Sequence, residues 1–191
     1  MDDERFQRIE DARVLRAVAH PIRNRILAEL EAGGPLRATD IAERVDVPAN
    51  QASFHLRQLA KYQLVEEAPE LARDGRERVW RAVSPSGWTV NLRELEKEPG
   101  GAAAVAVFQQ HASAEAHRMV DRVFRRDRDP EEPVMVIDLA LRLTAEESRQ
   151  LGRELNDLLD AWRTKTRSEA SERGTQRLLM LMQPYDAPEE N

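Results

Sequence analysis

Apolar positions along this chain change their spacing several times, and each change marks an element. Phe6, Ile9, Val14, Leu15 and Val18 lie near one stripe, which predicts a helix over residues 3–19. Pro21 cannot continue that helix but suits the first turn of the next. There Ile22, Ile26, Leu27 and Leu30 form one apolar face, and Gly33-Gly34-Pro35 ends it. Thr39 is read as the N-cap of a short third helix over 40–45 that turns Ile41, Ala42 and Val45 inward. Pro48 opens a fourth helix, with Ala52, Leu56 and Leu59 inward. Asp74-Gly75 then predicts a two-residue hairpin, because a type I′ turn needs positive φ at both central residues. Its strands lie near Leu64–Ala68 and Glu77–Val83. A short helix, a tight turn, a second helix and a hairpin, in that order, make a winged helix-turn-helix.

Prolines and glycines crowd residues 84–101, which makes this stretch the expected domain junction. Beyond it, Val105, Phe108, Ala112, Met119 and Val123 mark a long helix over 102–127 with a spacing close to a seven-residue repeat, suited to pairing with another helix. "VMVIDLALRL" (134–143) alternates. Met135, Ile137, Leu139, Leu141 and Leu143 fall on one face and Asp138 and Arg142 on the other, which predicts a one-sided strand. Thr144 and Glu147 have capping-box spacing ahead of a helix bearing Leu151, Leu155, Leu158, Leu159 and Trp162. "QRLLMLMQPY" (176–185) predicts a closing strand, so strand, helix and strand suit a βαβ crossover, with antiparallel pairing as the other option. The expected class is α+β: an N-terminal winged helix-turn-helix domain over 1–90, then a long helix and a small α/β C-terminal region within 100–191, serving dimerisation and leaving room for an effector.

Composition narrows the function classes. With 41% hydrophobic and 34% charged residues, the chain can bury a core and stay soluble. No apolar run reaches the roughly 18 residues a membrane helix needs, and the acidic start has no signal-peptide pattern. The absence of Cys excludes disulfides and thiolate metal sites and fits a reducing cytoplasm. The net charge of −6 does not suit a nonspecific nucleic-acid coat. The imbalance is uneven, with 14 Lys/Arg against 15 Asp/Glu in residues 1–90 and 15 against 20 in the remainder. Any phosphate grip must therefore come from local clusters of cations.

The run "HPIRNRILAEL…ATDIAERVDVPANQASFHLRQLAKYQLVEE…RDGRERVWRAV" resembles the ArsR-type winged-helix transcriptional regulators over about residues 12–83. The likeness rests on four elements in order, including Ser53-x-His55-Leu56-x-x-Leu59. It implies a dimer that binds an inverted-repeat operator, most often as a repressor. It also implies that Ala49, Asn50, Gln51, Phe54 and Arg57 face the major groove, with Ser53 and His55 inside the recognition pattern. Three departures stand out. Gln63 occupies a position that is usually Gly, so it must either take up a left-handed cap at some cost or end the helix differently. Phe54 stands where a polar residue is common. The family's metal sensors use Cys clusters or set His/Asp pairs, and no Cys exists here.

Each candidate has a plainer reading beside it. Asn50 and Gln51 can bond adenine edges, Arg57 can reach guanine or phosphate, and Phe54 can touch a thymine methyl; equally, Phe54 can pack on a partner and Arg57 can be merely solvated. In the wing, Arg73 and Arg76 suit phosphate contact, whereas Arg81 reads as structural. His55 reads as packing or phosphate-bonding rather than metal-binding. His111 with Glu115, and His117 with Asp121, have the i, i+4 spacing of a helix-face zinc site, but on so charged a helix solvated pairs are the better account. No nucleotide-binding glycine loop, G-x-S-x-G or H-E-x-x-H is present, so no enzyme, cofactor or metal is expected. The sequence thus points to a cytoplasmic, homodimeric regulator that binds double-stranded DNA, with a small-molecule effector as an open role and no membrane association. A winged-helix protein–protein interaction module is the alternative.

Overall fold

The computed structural model describes residues 5–73, 77–127, 129, 131, 133–168 and 174–183. It opens with a strand, not with the helix expected over 3–19. β1 (Gln7–Ile9) pairs in parallel with β5 (Trp88–Val90), in the register Arg8 to Thr89. The helix starts only at Ala12 because Asp11 caps it, accepting the Arg13 backbone N–H at 2.7 Å. Two helices then follow α1 (Ala12–Ala19), the first as anticipated. α2 (Pro21–Gly33) has Pro21 in its first turn and ends on Gly34 at φ 77°. α3 (Ala38–Arg44) begins two residues earlier than expected and is preceded by Arg37 rather than capped by Thr39. Next comes α4 (Ala49–Lys61).

The wing is a three-stranded antiparallel sheet in the order β2 (Leu36–Arg37), β4 (Val79–Ala82), β3 (Val65–Glu67). β4 pairs Trp80 with both Leu36 and Glu67. After β3 the chain makes a 3₁₀ turn at Pro69–Leu71 before returning. The Asp74-Gly75 turn itself lies outside the described residues.

Residues 84–101 are not a junction. β5 and a one-turn helix, α5 (Leu92–Leu95), are built into the core, and Leu95 is buried. α6 (Gly101–Val123) leaves α5 without clearance. A Cβ on Gly101 would come within 1.7 Å of the Leu95 carbonyl oxygen, so only glycine fits. The first turns of α6 pack on α1, burying Ala104 and Val105 beside Leu15 and Val18, while Phe108 meets Trp88 edge-on at 5.9 Å. One continuous core runs from Ile9 to Val105, with Leu15, Ile26, Leu30, Ile41, Leu56 and Leu59 fully enclosed.

Beyond Val105 no described residue is buried. α7 (Ala145–Ser168) starts on the expected capping box: Thr144 Oγ1 accepts the Glu147 N–H at 3.2 Å, and Glu147 Oε2 accepts the Thr144 N–H at 2.7 Å. The two flanking strands do not form. Residues 134–143 and 176–183 are not helical and have no ladder partner among the described residues; residues 184 and 185 lie outside them. An alternating segment is only able to be a strand, and it becomes one when a neighbour completes its backbone hydrogen bonds. Among the described residues none does so. The class is α+β, and the sheets of the described residues lie in the N-terminal part.

Candidate nucleic-acid interface

α4 is set by the turn before it and the cap after it, and both use the same device. After α3, Asp46 adopts φ 52°, and the Val47 N–H reaches back to the Ala42 carbonyl at 3.0 Å. After α4, Gln63 adopts φ 55°, the Leu64 N–H bonds the Leu59 carbonyl at 3.1 Å, and the Gln63 N–H bonds that of Ala60 at 2.9 Å. These are Schellman closures, with the apolar pair Leu59 and Leu64 buried beneath the second. Of the two endings open to Gln63, the chain takes the left-handed cap.

Ala52, His55, Leu56 and Leu59 turn inward along α4. Asn50, Phe54, Arg57 and Lys61 follow the opposite spacing (i, i+4, i+7, i+11) and stand in solvent with Ala49 and Gln51, while Ser53 is half-buried at the edge. Phe54 is 51% exposed. Asn50 Oδ1 accepts the Gln51 N–H at 2.9 Å. This face combines amide, aromatic and guanidinium groups, which are among the groups that can contact base edges.

His55 does not belong to that face. It is 6% exposed, its ring 4.7 Å from that of His20. A buried imidazole between helices reaches no groove, so its place among the DNA-contacting residues is corrected to packing under α4. Burial first, then the nearby Arg23 guanidinium, lowers the His55 pKa from its ordinary value; burial likewise dominates the lowering at His20. The stack was not legible in the sequence, where His20 and His55 stand on different helices.

Wing arginines are largely committed to carboxylates. Arg81 bonds Glu66 at 2.7 Å and Glu70 at 2.5 Å, the structural role anticipated for it. Arg78 lies 3.7 Å from Glu67. Arg37 bonds Asp40 at 2.7 Å and Glu77 at 3.3 Å, tying the foot of the wing to α3, and this pairing holds the Asp40 carboxyl below its ordinary pKa. Sequence reading missed this clamp because Arg37 and Glu77 are 40 positions apart. Arg73 is exposed and its backbone N–H donates to Glu77 Oε2 at 3.1 Å; Arg76 lies outside the described residues.

The histidine pairs on α6 are engaged elsewhere. His111 Nδ1 donates to the Ala19 carbonyl at 2.6 Å, Glu115 pairs with Arg118 and Arg177, and His117 Nδ1 faces the Ser113 carbonyl. Among the described residues no group of three or more His, Asp or Glu is placed to hold a metal ion. None of the described helices is long and apolar enough to cross a membrane.

Residues 18–68 match a helix-turn-helix domain. That span runs from the end of α1 to the end of β3 and holds the whole α3–turn–α4 unit. No curated protein matches the chain. Among solved structures, the S. aureus MepR F27L mutant bound to oligodeoxyribonucleotide is similar at 16% identity over 78% of each chain, with a TM-score of 0.28. The helix-turn-helix domain accordingly rests on the family match and on the geometry of α3, α4 and the wing.

Proposed function

We propose that this chain is a sequence-specific DNA-binding transcriptional regulator that grips an inverted-repeat operator as a dimer, with repression its expected role and the cytoplasm its place of action. The observation that carries the reading is the exposed stripe Asn50, Phe54, Arg57 and Lys61 on the second helix of a helix-turn-helix domain. Ala49, Asn50, Gln51, Phe54 and Arg57 would meet base edges, with Ser53 at the margin, and Arg73 and Arg76 would meet phosphates. In a dimer two such helices enter successive major grooves about 34 Å apart. Residues 100–191 are assigned to dimerisation and to any non-metal effector.

The test is selection of bound fragments from random duplex DNA, followed by footprinting with and without Arg57→Ala. Loss of the footprint in the variant supports the reading; a dimeric preparation that protects no DNA at low salt defeats it. Phe54 favours a second reading, since a half-exposed aromatic on a contact face can anchor a protein partner. A protein complex that survives Arg57→Ala, with no DNA footprint from the parent chain, would select that alternative.

A further inference from the structure

The segment 134–143 has an apolar face that nothing among the described residues covers. Ile137 is 67% exposed, Leu139 64% and Leu141 59%, and no backbone group of 134–143 is hydrogen-bonded among the described residues. A strand-patterned stretch with an open edge and one apolar face is a template for a neighbouring strand. Its own sequence specifies which neighbour. In an antiparallel pair, residues whose numbers sum to a constant stand opposite each other on the same face. With a sum of 280, Asp138 faces Arg142 of a second copy, Arg142 faces Asp138, and Ala140 faces Ala140 on the two-fold axis. The other face then sets Ile137 against Leu143 and Leu139 against Leu141, twice each. Moving the axis by one residue either way places each charge opposite an aliphatic residue or Thr144. Odd sums set the charged face against the apolar one. Only one register satisfies both faces, and it is self-complementary, as a two-fold interface must be.

We infer that residues 137–143 form the seam of a symmetric dimer, an antiparallel strand pair centred on Ala140 with two intermolecular Asp138–Arg142 ion pairs. The occupant of the exposed face is a second copy of this chain. The seam specifies how the proposed dimer forms, but it forms without DNA, so the two can fail separately.

Because the chain has no cysteine, single thiols report the register directly. In the full chain without DNA, Ala140→Cys brings two Cα atoms to about 4.5–5.5 Å, within reach of a disulfide. Asp138→Cys leaves its two copies about 13 Å apart along the strands, beyond reach. Mild oxidation is therefore expected to cross-link Ala140→Cys into a covalent dimer and leave Asp138→Cys uncoupled, while an exchanged mixture of Asp138→Cys and Arg142→Cys gives the heterodimer. In sedimentation equilibrium, Asp138→Arg is expected to weaken the dimer roughly tenfold, and the double variant Asp138→Arg/Arg142→Asp to restore it. Circular dichroism checks that each variant retains its helices. Cross-linking of Ala140→Cys no faster than Asp138→Cys, a monomer at the concentrations used, or a double variant no better than the single would each overturn the seam. Lost cross-linking with a retained DNA footprint would sink the seam alone, and the reverse pattern would sink the DNA reading alone.

Discussion

Gln63 shows how one residue's backbone sets the end of a helix. Its left-handed backbone strains any residue with a Cβ, yet the hydrogen bonds it closes use only main-chain groups. Gln7 Nε2 also reaches the Gln63 carbonyl rather than its side chain. Gln63→Gly should therefore keep every bond and relieve the strain, offset in part by glycine's larger unfolded entropy. We expect a net gain of about 0.5–1 kcal/mol and a melting temperature a few degrees higher; an unchanged or lower melting temperature would contradict this account. The need for such a cap was visible in the sequence because the chain departs there from glycine. His55 was less legible. Its place in the α4 repeat, three residues after Ala52 and four before Leu59, marks the inward face, whereas the resemblance puts it inside the recognition pattern. The helical spacing decides its place, and His20 provides a ring for it to pack on.

At the scale of elements, α7 is anchored to the winged helix by its last turns. Arg163 donates to the Ser86 carbonyl at 2.9 Å and Arg167 to that of Pro85 at 3.2 Å, over the partly buried Glu31 of α2. Burial raises the Glu31 pKa to about 7, with Arg163 and Arg167 opposing the shift. The folded chain thus keeps a proton that the unfolded chain, with a carboxyl near 4.5, has released. Glu31 contributes stability below about pH 4.5 that is lost as pH rises toward about 7. His20 and His55 have the opposite sign: their lowered pKa values favour the neutral form, so their contribution is present above about pH 6.5 and declines as pH falls below it. Glu31→Gln should remove the first slope and leave the second, so thermal melts from about pH 4.5 to 7 should then only rise with pH. A profile identical to the parent's would show that Glu31 titrates normally. The capping box of α7 could be read from Thr144 and Glu147 because it is local; the Arg163 and Arg167 anchors could not, because their acceptors are backbone carbonyls some 80 positions away. The same divide separates the α4 face, given by its repeat, from the β1–β5 pair, whose three-residue strands are too short to show a period.

The molecule as a whole divides by burial more than by sequence position. Residues up to Val105 carry the core, and Arg37, Arg78 and Arg81 in the wing are paired with carboxylates, which leaves fewer wing cations to meet phosphates. With a slope of about −0.9 in log K per log salt for each phosphate contact, we expect a shallow salt dependence, about −2 to −4 per protomer. A titration of operator binding against salt checks this, and a much steeper slope would mean that the exposed stripe and wing are not the main contacts.

The two sides of Val105 should also answer random change differently. Gly101, with Leu95 pressed against it, lies in the last turn of the chain that supplies its own stability. In a library of single substitutions scored by soluble yield, position 101 should be empty from alanine upward, since its penalty is a step and not a gradient. Positions 135 to 141 should accept aliphatic exchanges freely in dilute monomer and become selective only where two copies meet. The contrast between those columns would draw, from survival alone, the line between what this chain holds together by itself and what it leaves for another molecule to complete.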